Sequence, residues 1–123
     1  MKFLIILSLA ALALGKPDHY DERYDNFNVD EVIDNVRLLK SYSHCFLGEG
    51  KCTSDGSNFK KWIPDAVQSD CGKCTEKQKV MVAKVMKAMS QKLSEEWEKL
   101  VKLHDPKKEH TAELNAYITK YAP

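Results

Sequence analysis

Four cysteines constrain the fold of this 123-residue chain more than any other feature. They are Cys45, Cys52, Cys71 and Cys74, which gives the spacing C-x6-C-x18-C-x2-C. An even number of cysteines in a short chain with an export signal is typical of a disulfide framework. Four cysteines allow three pairings, and the spacing alone does not select one of them.

Two other roles for these cysteines fit the spacing less well. Four thiolates could hold a zinc ion, but an oxidising compartment favours disulfides over thiolate ligands. Cys71 and Cys74 could form a redox-active pair, because Thr75 is expected to open a helix and a helix N-terminus activates a thiol. A thioredoxin-like motif needs a βαβ frame, however, and the sequence shows no strand-like alternation. We therefore expect structural disulfides and no metal site.

The first fifteen residues have the pattern of a secretory signal peptide. Lys2 supplies the positive charge, the twelve residues 3–14 are almost entirely apolar, and Gly15 is a small residue at the cleavage position. Twelve apolar residues are too few to span a bilayer. We therefore predict a signal peptide over 1–15, a mature domain over 16–123 and secretion; the alternative is a buried N-terminal helix.

Charge excludes some classes of partner. Loss of the signal peptide would leave equal numbers of basic and acidic side chains, with both signs interspersed. Nucleic-acid binders need a net basic face, and surface anchors need a polybasic segment. We therefore expect no nucleic-acid partner and no stable membrane insertion. The length fits a single domain, which we expect to be a monomer.

Apolar residues recur at helical spacing along most of the mature chain, which predicts an all-α protein. The segment 16–28 lacks this periodicity and is expected to be an extended arm held down by its aromatic residues. Asn28 and Glu31 then have the spacing of a capping box. No glycine or proline interrupts the chain from there to Leu47, so the pattern predicts one helix over this stretch.

The sequence of the middle of the chain predicts a loop, one short helix and then the longest helix. Residues 52–58 are rich in turn-forming types, and a short helix is expected over 62–67, with Pro64 in its first turn. Thr75 and Gln78 predict a second capping box, which opens the longest helix, ending near residue 92.

The C-terminal third predicts two more helices. Ser94 is expected to cap the first of them, which ends at His104 because Asp105 precedes Pro106. The last helix carries apolar residues at helical spacing over 114–121.

No catalytic constellation is visible. The sequence contains neither HExxH nor GxSxG, and the acidic residues near the N-terminus do not match a calcium-binding loop. The histidines are scattered along the chain, at His19, His44, His104 and His110. We therefore expect no enzymatic activity, no catalytic residue and no cofactor.

The helix expected over 75–92 has an unusually broad apolar face. The arc that includes Met81, Met86 and Met89 spans about 200°, roughly twice the stripe expected of a helix that rests on one neighbour. Such a helix is contacted from two sides, which places it near the centre of the molecule. Methionine side chains adapt to irregular volumes. Even so, the pattern alone favours a packed core over a cavity that holds a ligand.

The cysteine spacing and the motifs around it resemble the insect chemosensory proteins, or OS-D family. The motifs that carry the resemblance cover nearly the whole mature chain: Tyr24-Asp25-Asn26-Phe27, Arg37-Leu38-Leu39, Gly50-Lys51-Cys52-Thr53, Ile63-Pro64-Asp65-Ala66, Cys71-Gly72-Lys73-Cys74-Thr75, Gln78-Lys79, Trp97 and Asp105-Pro106. The resemblance implies six helices around an internal apolar channel. It also implies disulfides between consecutive cysteines, Cys45 with Cys52 and Cys71 with Cys74, and a break of the 28–47 stretch into two short helices.

The resemblance further implies a carrier of long-chain apolar molecules such as fatty acids, fatty alcohols, esters and pheromones or odorants. Family members occur in sensillar lymph, and a chemosensory receptor or another protein is a conceivable partner. By position, Tyr42 would offer a hydroxyl at the channel and Trp97 would flank its mouth. The remaining residues expected to line the channel are Ile33, Leu39, Ile63, Val67, Val82, Val85, Met86 and Met89.

The sequence departs from the family pattern at His104, where many relatives carry tyrosine, and after Lys107, where the match is loose. Both departures affect one end of the expected channel. The alternative function is a secreted developmental or interaction protein, in which the helices form a solid scaffold for a protein partner. The broad methionine-bearing face favours the carrier.

Overall fold

The computed structural model describes residues 20–21 and 25–123. The expected signal peptide and most of the expected arm lie outside these residues. The described residues form six helices: α1 Val29–Ile33, α2 Val36–Phe46, α3 Ser54–Ser69, α4 Glu76–Lys92, α5 Ser94–His104 and α6 Thr111–Tyr121. The described residues contain no strand, which confirms the all-α class. Among them, no helix combines the length and apolarity needed to cross a membrane.

The stretch from Asn28 to Leu47 forms two helices, so the single helix expected from periodicity is wrong. The Asn28 side chain accepts a hydrogen bond from the Glu31 amide at 3.3 Å and caps α1. Asn35 does the same for α2 through the Leu38 amide at 3.2 Å. An asparagine that bonds to nearby backbone amides competes with continuation of the helix. The break implied by the family resemblance is therefore confirmed.

α3 begins much earlier than expected. The Thr53 hydroxyl accepts from the Gly56 amide at 3.0 Å and caps the helix before the residues expected to form a loop. Pro64 consequently lies inside α3 rather than in its first turn, a position that costs about 3 kcal/mol. Burial of one face of the helix offsets this cost; the buried apolar side chains of that face are Phe59, Trp62, Ile63, Ala66 and Val67.

α4 is the central element. The expected capping box is present in full: the Thr75 hydroxyl accepts from the Gln78 amide, and the Gln78 side chain accepts from the Thr75 amide, each at 3.1 Å. The helix contacts each of the other five. Its broad apolar face is buried as expected, and the buried side chains are Met81, Val82, Ala83, Val85, Met86, Ala88 and Met89.

Both disulfides join consecutive cysteines, as the resemblance implies. Cys45 at the end of α2 is bonded to Cys52 before α3, and Cys71 is bonded to Cys74 in the turn between α3 and α4. The turn is held by Asp65, whose carboxylate accepts from the Lys73 amide at 3.1 Å. The cross-links therefore fix two local corners and leave the helices to be held together by packing.

The start of α5 differs by one residue from the expectation. Ser94 is the first residue of α5 rather than its cap; Leu93 occupies the cap position, without a side-chain hydrogen bond. α5 ends at His104, as predicted. The buried carboxylate of Asp105 then accepts from the amides of Glu109 and His110, at 2.9 and 3.0 Å, and so holds the turn that leads into α6.

Candidate ligand-binding site

The ten residues predicted to line a channel converge in one hydrophobic cluster. Seven of them are buried: Leu39, Ile63, Val67, Val82, Val85, Met86 and Met89. The other three pack against this cluster and are partly buried: Ile33, Tyr42 and Trp97. The buried set comes from α2, α3 and α4, so the space between these helices is where an internal ligand would lie.

The interior of this cluster is tightly closed. Leu39, Val82 and Met86 each have 0% of their surface exposed, so they have no contact with solvent. A ligand between α4 and its neighbours would therefore require side chains to repack. Met86 and Met89 suit such repacking because methionine is unbranched and changes rotamer at low cost.

An aromatic cluster packs beside this interior, and sequence reasoning did not assign it to the site. Phe59 lies at its centre, with ring centroids 5.1 Å from Trp62, 5.6 Å from Phe27 and 6.1 Å from Phe46. Phe59, Trp62 and Phe46 are almost completely buried. Aromatic residues spaced along α3 were the available signal, but the expected loop over 52–58 obscured the helical register of Phe59.

Tyr42 belongs to the edge of the aromatic cluster. Its ring lies 6.1 Å from Phe27 and 6.3 Å from Phe46. Its hydroxyl accepts a hydrogen bond from the Thr53 hydroxyl at 3.3 Å, at the N-terminus of α3. The polar end of Tyr42 therefore lies close to the Cys45–Cys52 corner, and its role as a partner for a ligand head group stays a prediction.

Two of the predicted residues line open hollows at the surface. Trp97 lines a hollow of about 570 Å³ together with Val101 and Pro106, at the junction of α5 and α6. Ile33 lines a second hollow, of about 420 Å³, formed by the end of α1, one face of α4 and the C-terminal residues after α6.

The segment before α1 is held against the N-terminus of α4. Gln78 is fully buried, and its amide nitrogen donates to the Asp21 carbonyl and to the Asp25 carboxylate, each at 2.9 Å. The Thr75 hydroxyl donates to the same carboxylate at 3.0 Å. Tyr20 also packs on Trp62, with ring centroids 6.2 Å apart. The predicted anchoring of the arm by aromatic residues is confirmed for Tyr20 and Phe27, and the polar contacts at Gln78 add to it.

Replacing Gln78 with alanine is expected to lower the free energy of unfolding by about 1–3 kcal/mol, because it removes the hydrogen bonds of a fully buried side chain to Asp21, Asp25 and Thr75. Urea unfolding measures this change, and limited proteolysis reports release of the segment before α1. Gln91→Ala, at an exposed position on the same helix, is the matched control and should change stability little. Equal stability of the two variants would contradict the anchoring role of Gln78.

Burial favours the neutral forms of Tyr117 and His104. Burial raises the pKa of Tyr117 far above its ordinary value, and its hydroxyl donates to the Lys79 carbonyl at 2.7 Å. Burial also lowers the pKa of His104. The Asp65 carboxylate lies within 4.8 Å of the Cys71 and Cys74 sulfurs, but these sulfurs are oxidised to a disulfide and offer no thiolate to a metal. The side chains around the interior therefore offer a ligand mainly apolar contact surface.

The sequence profile of the insect pheromone-binding family, A10/OS-D, matches residues 20–112. The chain belongs to this family. The matched OS-D region includes both disulfides, the first five helices and the start of α6.

Relatives within the OS-D family match most of the chain. This chain is 42% identical over 108 residues to Allergen Tha p 1 of Thaumetopoea pityocampa. The match covers 86% of this chain and 86% of the relative. The chain is 38% identical over 107 residues to Ejaculatory bulb-specific protein 3 of Drosophila melanogaster, covering 86% of this chain and 85% of the relative. A chemosensory protein solved in complex with bromo-dodecanol superposes with a TM-score of 0.69 at 33% identity, covering 79% of this chain and 97% of that one. These likenesses confirm the OS-D fold.

Proposed function

We propose that this chain is a carrier that binds a small, elongated apolar molecule between α4 and the helices α2 and α3. The observation that carries the proposal is the likeness to the chemosensory protein solved with bromo-dodecanol, at 33% identity over nearly all of that chain. The residues predicted to line the channel form one buried apolar cluster here, which supports the proposal. The family is one of binding proteins, so we propose no catalytic activity.

The expected affinity follows from the chemistry of an alkyl chain. Burying a methylene group gains about 0.8 kcal/mol, so a twelve-carbon chain gains roughly 10 kcal/mol before costs. Association entropy and side-chain repacking remove part of this gain. We therefore expect micromolar binding with broad specificity, since the methionine side chains of the lining can adapt to chains of different length.

We further propose that the protein acts outside the cell after loss of residues 1–15. The N-terminal signal pattern and the two disulfides support this location. Chemosensation, with delivery of the ligand to a receptor, is the proposed setting for a member of the pheromone-binding family.

Val85→Trp is expected to weaken binding of a fluorescent fatty-chain probe at least tenfold. Val85 is almost completely buried on the face of α4 that meets the interior, so an indole at this position fills the space that an alkyl chain would need. The measurement is a titration of the probe into the refolded protein, followed by displacement with 1-dodecanol.

Val36→Trp is the matched control, because Val36 is 49% exposed on α2 and the same change there leaves the interior intact. Circular dichroism should show that both variants keep their helices. If Val85→Trp is folded and binds the probe as tightly as the control, the site does not lie between α4 and its neighbours.

The closed interior favours a second candidate function, a solid helical scaffold for a protein partner. Leu39, Val82 and Met86 have no exposed surface, as in an ordinary core. Saturable one-to-one displacement by dodecanol supports the carrier. Failure of the wild-type protein to bind either the probe or dodecanol at tens of micromolar supports the scaffold.

A further inference from the structure

A hollow of about 330 Å³ lies between α2 and the loop that follows this helix. We call it the basic hollow. Among the described residues that line it, no side chain is apolar or acidic. The chain as a whole has nearly equal numbers of basic and acidic residues, so its overall balance conceals one face on which positive charge is concentrated. The lining residues are Arg37, Lys40, Ser41, His44, Gly50 and Lys51.

The charges of Arg37, Lys40 and Lys51 are exposed and are not neutralised by the protein itself. Within the described part of the chain, the ion pairs join side chains of α1, α4 and α6, and none involves these three residues. The nearest acidic residues in sequence are Asp34 and Glu49, and they are in none of these pairs either. All three charges therefore remain available to an anion that enters the hollow.

Three of the basic side chains form a row along α2. Arg37, Lys40 and His44 are spaced i, i+3 and i+7, which places them on one face of the helix. With a rise of about 1.5 Å per residue, the row spans about 10 Å. A single sulfate or phosphate ion is too small to contact a row of this length. A chain that carries an anionic group on successive units can follow it.

The fourth basic side chain, Lys51, is held beside this row by a cross-linked loop. The Cys45–Cys52 disulfide closes the loop that carries Lys51. A Cβ atom at Gly50 would lie 3.4 Å from the Cβ of His44, so the loop passes close to α2. Because the loop is already tied to the helix, binding of an anion costs less conformational entropy than it would on a flexible loop.

We propose that the basic hollow binds a sulfated polysaccharide outside the cell, with sulfate groups of the polysaccharide contacting Arg37, Lys40 and Lys51. Guanidinium and ammonium groups form charge-assisted hydrogen bonds to such anions. The lining favours this partner over a protein or a membrane, because protein interfaces rely on apolar and aromatic anchors and membrane-surface helices insert an apolar face. The proposed location outside the cell favours it over a nucleic acid.

This inference goes beyond the carrier function and does not depend on it. None of the residues that line the basic hollow belongs to the hydrophobic cluster between α2, α3 and α4. Loss of binding at one of the two places should therefore leave the other unchanged.

The test measures binding of a heparin-derived hexasaccharide to the refolded, oxidised protein by isothermal titration calorimetry. We expect saturable binding that weakens as the salt concentration rises, because salt screens exposed charges. In the triple variant Arg37→Gln/Lys40→Gln/Lys51→Gln, the affinity should fall about tenfold, in line with the loss of three exposed ionic contacts. Circular dichroism should show that the variant keeps its helices.

The matched control is Lys77→Gln/Lys99→Gln/Lys107→Gln, which removes the same charge at exposed positions outside the hollow. Its affinity for the hexasaccharide should fall less than about twofold, because distant exposed charges are screened. An equal loss in both variants, or no saturable binding to the wild type, would overturn the inference.

Three further probes test the class of partner: a hexaglutamate peptide, a single-stranded DNA hexanucleotide and vesicles that contain phosphatidylserine. A fully desulfated hexasaccharide tests the requirement for sulfate. We expect all four to bind the wild type more weakly than the sulfated hexasaccharide. If the desulfated sugar binds equally well, or if the peptide, the DNA or the vesicles bind more tightly, the hollow does not select a sulfated polysaccharide.

Discussion

Phe59→Ala is expected to lower the free energy of unfolding by about 3–5 kcal/mol, as large aromatic truncations in a packed core do. Phe59 is 1% exposed, and its ring contacts three other aromatic rings, so the surrounding side chains cannot close the space without moving together. A domain of this size has about 5–15 kcal/mol of stability in total. The variant therefore loses a large share of it.

Urea unfolding followed by circular dichroism measures the loss. Leu103→Ala is the control, because Leu103 is 54% exposed and its truncation should change stability by less than about 0.5 kcal/mol. Phe59→Leu keeps most of the apolar volume and should fall between the two, so the comparison holds even if the alanine variant is largely unfolded. Equal stability of Phe59→Ala and Leu103→Ala would show that the aromatic cluster does not stabilise the fold.

Removing the Cys45–Cys52 disulfide by replacing both cysteines with alanine is expected to cost about 2.5 kcal/mol, and removing Cys71–Cys74 about 2 kcal/mol. The costs are moderate because the sequence separations are only 7 and 3, so each cross-link restricts a short loop of the unfolded chain. Alanine is preferred to serine because Cys45, Cys71 and Cys74 are buried, and a hydroxyl there would need a partner.

The two disulfide variants are compared by urea unfolding with the oxidised wild type and with each other. Because the cross-links hold separate corners, their effects should add when all four cysteines are replaced. Both single-disulfide variants should keep the helical circular dichroism signal, since packing joins the helices. If removal of one disulfide abolished the helical signal, that disulfide would be needed to fold helices beyond the short loop that it closes.

Sequence periodicity predicted the elements whose pattern is strong and whose ends carry recognisable caps. The all-α class, α4 with its capping box and the end of α5 at His104 follow from local signals. The pairing of the cysteines required the family resemblance, because three pairings satisfy the spacing equally well. The break at Asn35 escaped notice since α1 and α2 keep a continuous apolar register on both sides of it.

The start of α3 could not be predicted from the residues that form it, because the first residues of this helix have low intrinsic helix propensity. Ser54, Gly56 and Asn58 are typical of turns, and they become helical because Phe59 and Trp62 behind them are buried by other helices. Tertiary packing thus overrides local preference at this point.

The candidate site was predicted only in part, because its shape depends on how distant helices pack together. Periodicity identifies which residues are buried, but it does not distinguish a solid core from one that opens for a ligand. The hollow between α1, α4 and the C-terminal residues was not foreseen at all. Its floor joins Ile33, Ala88 and Ala122, which are far apart in sequence and meet only when α1, α4 and the C-terminal residues come together.

The central position of α4 has a consequence for how the molecule moves. Because α4 contacts all five other helices, its amides become accessible to solvent only when most of the fold opens. Its amide hydrogens should therefore exchange with deuterium more slowly than those of the short peripheral helix α1. A ligand that reaches the interior would do so by local opening of peripheral segments on microsecond-to-second timescales, while α4 stays in place as the fixed wall of the site.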